Sequence, residues 1–287
     1  MQAVRSILVV LDPAHAHSRA LTRAKLIAGV TGARLHLLMC DKKHDHSALL
    51  SLLGSQLHDD GYDKVTHEQA WHESLHESII AVQQAEGCEL VIKEHRPDNP
   101  LKKALLTPSD WKLLRQCPSA VLMVKSERPW TGGKILAAVD VGNQDKDHQR
   151  LHASIIDHGF EIAKLAHGEL HVISAHPSPM LSASDPVYQL SETIEKRYRD
   201  ACMAFQAEYD ISEERLHVAE GPADVLIPHT EQQLEAVVTV IGTVCRTGIS
   251  GALIGNTSEV VLDALVGDVL VLKSEEAIAH LAELARG

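Results

Sequence analysis

The sequence predicts an α/β protein built from two tandem doubly wound domains, each a five-stranded parallel sheet with helices on both faces. Three observations support this prediction. Short apolar runs rich in β-branched residues alternate with segments of helical periodicity. The second half of the chain repeats the order and spacing of the first half. A stretch with proline, tryptophan and paired glycines, SERPWTGG at residues 126–133, separates the two halves.

The first strand and helix of each half show the repeat. The run SILVVLD, Ser6 to Asp12, reappears as KILAAVD, Lys134 to Asp140, and both runs end on an aspartate. A polar loop and a segment with apolar residues at helical spacing follow each run. Each predicted helix ends at a glycine, Gly32 or Gly168, and a second strand with a shared Leu-His pair comes next.

The later strands repeat in the same way. CELVIK at residues 88–93 pairs with AVVTVIG at 236–242, and AVLMVK at 120–125 pairs with VLVLK at 269–273. Each half therefore contains five strands that alternate with helices, which is typical of a parallel sheet covered on both sides. The predicted domains are residues 1–127 and 133–287.

Composition limits the classes of function. The chain has 287 residues and a net charge of -12, and it lacks a basic run that could bind a nucleic acid against this charge. No apolar stretch reaches the roughly 20 residues of a membrane span, and the N-terminus lacks the pattern of a secretory signal. The five cysteines are spread singly along the chain, which indicates reduced thiols. We expect a cytoplasmic protein.

A glycine-rich loop is the strongest candidate for a ligand site. In a doubly wound fold, ligands bind beyond the carboxyl ends of the strands, so Asp12, Asp140 and the loop after Ile241 should border a site. That loop, GTVCRTGISGALIGNTSEVV, precedes a predicted helix near Asn256, whose N-terminus could bind phosphate together with free backbone amides. Alternatively, Asn256 is an N-cap in a pattern resembling a capping box, completed by Glu259.

The element order, the aspartate after the first strand and this loop together resemble the universal stress protein family in its tandem, E-type form. The segments LLTPSDWKLLRQCPSAVLMVK and GTVCRTGIS with IGNTSEVV carry the resemblance, which extends over nearly the whole chain. It implies the adenine nucleotide alpha hydrolase-like fold, with five parallel strands per domain. It also implies a bound ATP in some members.

Nucleotide-binding members of that family carry glycine, two residues, glycine, nine residues, glycine, then serine or threonine. In the second half Gly242 and Gly255 match, but Cys245 stands in place of the second glycine and Asn256 in place of the hydroxyl residue. The resemblance implies that the base and ribose would contact Val139 and Asp140, the triphosphate would enter at Gly242, Val244 and Cys245, and the phosphates would bind Gly255, Asn256, Thr257 and Ser258.

The first half departs further from the nucleotide pattern. Lys93, Arg96, Leu106 and Thr107 are assigned to the four matching positions, and Pro108 removes a donor at the helix start. We therefore expect ATP in the second domain only. No metal is expected beyond a magnesium ion that accompanies the nucleotide.

Histidine motifs suggest no catalytic site. HESLH, His72 to His76, fits the zinc metalloprotease pattern, but it follows a strand-like segment, so its two histidines should not share a helical face. The pairs His15 with His17 and His44 with His46 lie in polar loops and are interpreted as solvated. The order of Ser, Cys, His and Asp residues gives no support for a catalytic nucleophile.

The functional prediction is a cytoplasmic stress-response protein that binds a small ligand, with ATP as the candidate, and acts through partners. Two alternatives stay open, namely a nucleotide-independent protein with an amphipathic or apolar ligand, and a slow ATPase. The two domains are expected to pair within the chain as a pseudo-dimer, with a homodimer as a further option. No nucleic acid or membrane partner is expected.

Overall fold

The computed structural model describes residues 4–15, 17–96, 106–143, 145–180, 185, 187, 190–243 and 256–284. These residues divide into two compact units. The first contains the described residues up to 127 and those from 277 onward. The second contains residues 128–243 and 256–276.

The first unit is a parallel sheet in the order β3-β2-β1-β4-β5. Its strands are β1 Ser6–Leu11, β2 Arg34–Met39, β3 Val65–Gln69, β4 Leu90–Glu94 and β5 Ala120–Val124. Its helices are α1 Arg19–Thr31, α2 Ser47–Asp59, α3 Leu75–Glu86 and α4 Pro108–Gln116.

Local sequence explains where these helices begin and end. Ser18 caps α1 by accepting a hydrogen bond from the amide of Leu21, and Ser74 caps α3 in the same way through the amide of Glu77. Gly32 ends α1 with φ at 66°. In this left-handed region glycine is favoured, because other residues carry a Cβ atom that clashes there.

The second unit repeats the arrangement with strand order β8-β7-β6-β9-β10, again all parallel. Its strands are β6 Lys134–Ala138, β7 Glu169–His176, β8 Leu216–Glu220, β9 Val238–Thr243 and β10 Asp268–Lys273. The helices are α5 Lys146–Ala166, α6 Ser191–Tyr209, α7 Ala223–Leu234 and α8 Asn256–Ala264, and a 3-10 turn covers Glu213–Arg215. Helix α9, Glu275–Leu284, follows β10, and its residues from 277 onward belong to the first unit. The predicted fold class is confirmed.

Two sequence interpretations need correction. Helix α5 ends at Ala166, and the residue that caps it in the left-handed conformation is His167 and not Gly168. Gly168 is required for close approach, since a Cβ atom there would overlap the carbonyl oxygen of Gly133. Composition favours a packing role for the tryptophans Trp71, Trp111 and Trp130, but Trp71 is about one-third exposed and lies beneath the Lys42 ammonium. Trp130 is buried as predicted, and its indole N–H donates to Asp268.

The core of each unit lies between the sheet and the covering helices. Strand β1 is buried over its full length, and the apolar residues of β6 are buried as well. Among the residues that the structure describes, none of the helices has the length and apolar character needed to cross a membrane.

Candidate functional site

The candidate site is a crevice at the carboxyl edge of the second sheet. Strand β6 pairs with β7 along one of its edges and with β9 along the other. The direction in which the chain adds strands to the sheet therefore reverses between β6 and β9. Ligands of doubly wound proteins bind at this kind of switch point. The crevice has a volume of about 620 Å³, which is large enough for a small organic molecule.

The walls of the crevice are mainly apolar. Leu151 and Ile155 of α5 contribute to the apolar lining, and Ile173, Ile241 and Val261 are among its other members. The polar groups of the lining are few and come from several different elements: Asp140, His148, His152, His176, Ser178 and Tyr198. An apolar cleft with a small number of polar groups is typical of small-molecule sites.

His152 fixes the backbone next to Asp140. Its Nε2 atom accepts a hydrogen bond of 3.3 Å from the Asp140 amide. Burial lowers the pKa of His152, although the negative charge of Asp140 opposes the shift. The imidazole is therefore neutral near pH 7, as an acceptor at Nε2 requires.

Tyr198 packs tightly against the loop that carries Asp140. A Cβ atom at Gly142 would overlap the Tyr198 hydroxyl group, so glycine is needed at this position. The Tyr198 ring also contacts His176, with ring centroids 5.6 Å apart. Asp145 caps α5 by accepting hydrogen bonds from the amides of Asp147 and His148, which anchors the other end of the loop.

Gly242 has a packing role that the sequence pattern did not reveal. A Cβ atom there would lie 2.7 Å from a methyl carbon of Leu151 and 2.8 Å from one of Ile155. Helix α5 can approach β9 only because this residue has no side chain. The presence of glycine at this position is therefore not specific evidence for a phosphate.

The structure brings together three of the predicted site residues. Val139, Asp140 and Gly242 all line the crevice, with Val139 buried and Asp140 exposed. Three others, Val244, Cys245 and Gly255, lie outside the described residues. The remaining three, Asn256, Thr257 and Ser258, form the start of α8, whose Val261 lines the crevice. Their role in nucleotide binding stays a prediction.

The first unit carries charged side chains at the corresponding edge. Strand register corrects one sequence match here. Ile7 pairs with Leu90 and the equivalent Ile135 pairs with Val238, so Glu94, and not Lys93, is equivalent to Gly242.

Glu94 is the centre of an ion-pair cluster. Its Oε1 atom lies 2.6 Å from Arg19 and 2.9 Å from Arg96, and Arg96 in turn lies 3.0 Å from the Asp12 carboxylate. Asp12 is the counterpart of Asp140. It is engaged by an arginine in the first unit, whereas Asp140 borders a crevice in the second.

A second ionic cluster is buried beneath the start of α4. Asp110 is fully buried, with Lys93 Nζ 2.7 Å from one oxygen and His95 Nδ1 2.8 Å from the other. Burial raises the pKa of Asp110, but the hydrogen bond from His95 and the charge of Lys93 outweigh it, so the pKa lies well below its usual range. Thr107 and Asp110 form a capping box, in which Thr107 is the N-cap residue of α4. Pro108 follows as the first residue of the helix, where a missing amide proton costs no helical hydrogen bond.

The HESLH motif does not form a metal site. Ser74 caps α3 between its two histidines, so His72 lies before the helix and His76 lies within it. His76 is buried, and its Nδ1 atom is 2.8 Å from the Ser74 hydroxyl. The prediction that the two rings do not share a helical face is confirmed.

Sequence reasoning missed a different histidine cluster. His44 and His46, interpreted as solvated, both contact the Asp41 carboxylate in the loop between β2 and α2. The spacing Asp-x-x-His-x-His was the available signal.

The fold and the crevice define a tandem doubly wound α/β protein with a mainly apolar crevice at a switch point of its second sheet. Residues 3–125 and 133–273 match the sequence profile of the Universal stress protein family. The chain belongs to this family of stress-response proteins. Universal stress protein E of Escherichia coli is 32% identical over 96% of this chain and 96% of its own length.

Solved structures agree with this assignment. A putative universal stress protein of Pseudomonas aeruginosa is 65% identical, with a TM-score of 0.91 over 100% of this chain and 99% of that chain. A universal stress protein of Archaeoglobus fulgidus is 16% identical and covers 94% of this chain and 99% of that one, with a TM-score of 0.64. The second comparison supports the fold alone.

Proposed function

We propose that the second domain binds an adenine nucleotide in the β6–β9 crevice and that the protein acts in the stress response through partners rather than by catalysis. The observation that carries this proposal is the position of the crevice. It lies at the switch point of the sheet and is lined by Val139, Asp140 and Gly242, which the family pattern assigns to the nucleotide.

The chemistry of the lining suits the base and the sugar. The apolar walls can hold a planar base, and the Asp140 carboxylate can accept hydrogen bonds from ribose hydroxyl groups. The described lining contains no lysine or arginine. The phosphates would therefore depend on backbone amides of residues 244–255 and on the N-terminus of α8.

The same lining supports a second candidate ligand. The crevice is mainly apolar, and its described lining has no lysine or arginine side chain. Such a crevice also suits an amphipathic molecule with an apolar body and one polar end. A slow ATPase is a variant of the first proposal, in which the bound nucleotide is also hydrolysed. Native mass spectrometry of the freshly purified chain identifies the retained ligand by its mass.

Calorimetric titration with ATP tests the nucleotide proposal, with two matched variants as controls. Asp140→Asn should weaken binding about tenfold, because a charged acceptor for a hydroxyl contributes roughly 1.5 to 3 kcal/mol. Asp12→Asn changes the equivalent carboxylate of the first domain and should leave the affinity unchanged. Ala175→Leu narrows the crevice and should weaken any ligand. The absence of heat with the parent protein at millimolar ATP would contradict the proposal.

We also propose that the two domains pair within the chain as a pseudo-dimer in the cytoplasm. Covalent linkage makes such an association intramolecular and raises the effective concentration of the partner domain. Small-angle X-ray scattering distinguishes two paired domains, which scatter as one compact particle, from two separate domains joined only by a linker. Sedimentation measures a homodimer, and cell fractionation reports the location.

A further inference from the structure

Three potential metal ligands converge in the loop between β2 and α2. The Asp41 Oδ2 atom lies 3.0 Å from His44 Nδ1 and 2.9 Å from His46 Nε2. One ligand atom from each residue falls within 4.8 Å of the other two. This arrangement places two imidazoles and one carboxylate around a common point.

The loop backbone is held in place by a residue from the neighbouring strand. Gln69, the last residue of β3, donates from Nε2 to the carbonyl oxygens of Asp41, at 2.9 Å, and His44, at 2.6 Å. Its Oε1 atom accepts from the His46 amide at 2.6 Å. The amide of Lys43 donates to the second Asp41 oxygen at 2.7 Å. The three side chains are therefore presented by a preorganised loop.

The distances match those between ligands of a small cation. Zinc bonds of 2.0–2.1 Å in tetrahedral geometry place neighbouring ligand atoms about 3.3 Å apart. The histidine nitrogens lie 2.9 and 3.0 Å from the carboxylate oxygen, and all three ligand atoms lie within 4.8 Å of one another. His44 is 71% exposed, which leaves a side of the cluster open to water as a fourth ligand.

Charge at the site favours a cation. Asp41 supplies the one carboxylate of the cluster, and its two oxygens accept hydrogen bonds from His44, His46 and the Lys43 amide. The neighbouring Lys42 ammonium lies over the Trp71 ring, 5.6 Å from its centroid, in a cation–π contact. This positive charge is therefore engaged by the indole ring.

We propose that Asp41, His44 and His46 bind a divalent transition metal ion of the zinc type, with water completing the coordination. Two imidazole nitrogens favour zinc, cobalt or nickel over magnesium and calcium, which prefer oxygen ligands. The site lies in the first domain, so it is separate from the proposed nucleotide crevice and does not depend on it.

Two other groups that contain histidine differ from the Asp41 cluster in their suitability for a metal ion. His36, Glu68 and Glu86 also converge, but Arg34 lies 2.6 Å from Glu86 and supplies the positive charge that a metal would bring. The pair Asp145 and His148 has the same spacing as Asp41 and His44, without a third ligand in the part of the chain that the structure describes. His148→Gln is therefore a matched control.

The test is titration of the chelator-treated full chain with Co²⁺, followed by visible absorption, and with Zn²⁺, followed by calorimetry. The parent and His148→Gln should each bind one equivalent more than the double variant His44→Gln/His46→Gln. The parent should also show the intense visible bands of four-coordinate cobalt. Because His44 is largely exposed, circular dichroism should show that this double variant folds.

Two further variants test the individual groups. Asp41→Asn removes the charged ligand and should abolish the cobalt bands. Gln69→Leu disturbs the supporting contacts and should weaken binding about tenfold, as loss of outer-shell partners does. Equal stoichiometry in the parent and the double histidine variant would overturn the proposal, and so would a parent that binds no cobalt.

Discussion

The two halves of the chain share a strand order, but the carboxyl edge of the sheet carries an ion-pair cluster in the first half and a crevice in the second. At one equivalent strand position the second half has Gly242, which lets α5 approach and line a crevice, and the first half has Glu94, which binds Arg19 and Arg96. Asp140 borders the crevice, whereas its counterpart Asp12 pairs with Arg96. The comparison teaches that one fold can form either an open crevice or an ionic cluster at this edge, depending on a few residues at the switch point.

The largest effect should come from the buried ion cluster of the first half. Asp110→Ala leaves Lys93 and His95 without their carboxylate partner, and we expect it to lower the free energy of unfolding by about 3 to 5 kcal/mol. Urea denaturation measures this change.

Glu259 is the sequence counterpart of Asp110, since each lies three residues after the matching positions Asn256 and Thr107. The strand positions equivalent to Lys93 and His95 carry the uncharged Ile241 and Thr243, so Glu259→Ala is the matched control with a smaller expected loss. Equal losses at the two positions would contradict the comparison.

Acid should weaken the same cluster. The folded-state pKa of Asp110 is depressed below the unfolded value of about 3.9, so its contribution to stability is complete above that value. The contribution is lost as the pH falls through the folded-state pKa.

The close packing at Gly242 should give the next largest effect. A methyl group in Gly242→Ala would press on Leu151 and Ile155, and overpacking of this kind costs about 1 to 3 kcal/mol. Thermal and urea unfolding measure the loss. The double variant Gly242→Ala/Leu151→Ala makes room for the added methyl, so its loss should be smaller than the sum of the two single losses. Additive losses would show that contact between the added methyl group and Leu151 is not the cause of the destabilisation.

A histidine pair gives the second half its own acid sensitivity. His171 stacks on His217, with Nδ1 and Nε2 3.1 Å apart, and burial lowers the pKa of His171 to about 4. Because the folded-state pKa lies below the unfolded value of about 6.5, the unfolded chain binds more protons between these values. Stability should therefore fall as the pH drops from 6.5 to 5, by roughly 1 to 2 kcal/mol.

The variant His171→Gln removes this titrating group. Urea denaturation at pH 7 and pH 5 should show a smaller loss on acidification than in the parent protein. An unchanged loss would assign the acid sensitivity to other groups.

Sequence patterns predicted the fold because apolar periodicity and the internal repeat are local signals. The structure confirms the boundaries that Ser6, Asp12 and Gly32 mark for β1 and α1. The repeated run begins β6 at Lys134 as predicted, but the strand ends at Ala138, two residues before Asp140. The equivalence of Glu94 with Gly242 was missed because one-residue register depends on strand pairing, which local patterns do not fix.

The histidine cluster was missed for a related reason. The spacing Asp-x-x-His-x-His brings the three residues close in sequence, but the contacts of Gln69 from a neighbouring strand order their loop around Asp41. Long-range contacts of this kind have no local sequence signal. The packing role of Gly242 likewise depends on α5, which is distant in sequence.

The smallest expected effect concerns the departure of the second half from the nucleotide pattern. Cys245 replaces the family's second glycine, and in the proposed nucleotide site a side chain at this position would restrict the approach of a phosphate to the backbone. Cys245→Gly should therefore tighten ATP binding by up to about tenfold, which corresponds to roughly 1.4 kcal/mol. Gly255→Val should have the opposite effect, because it adds bulk where the pattern places a phosphate. Calorimetry on the parent and both variants, with Thr107→Val of the first half as control, measures these changes. If Cys245→Gly and Gly255→Val bind ATP as the parent does, the loop does not contact the nucleotide, and the crevice then selects its ligand through the apolar walls and Asp140.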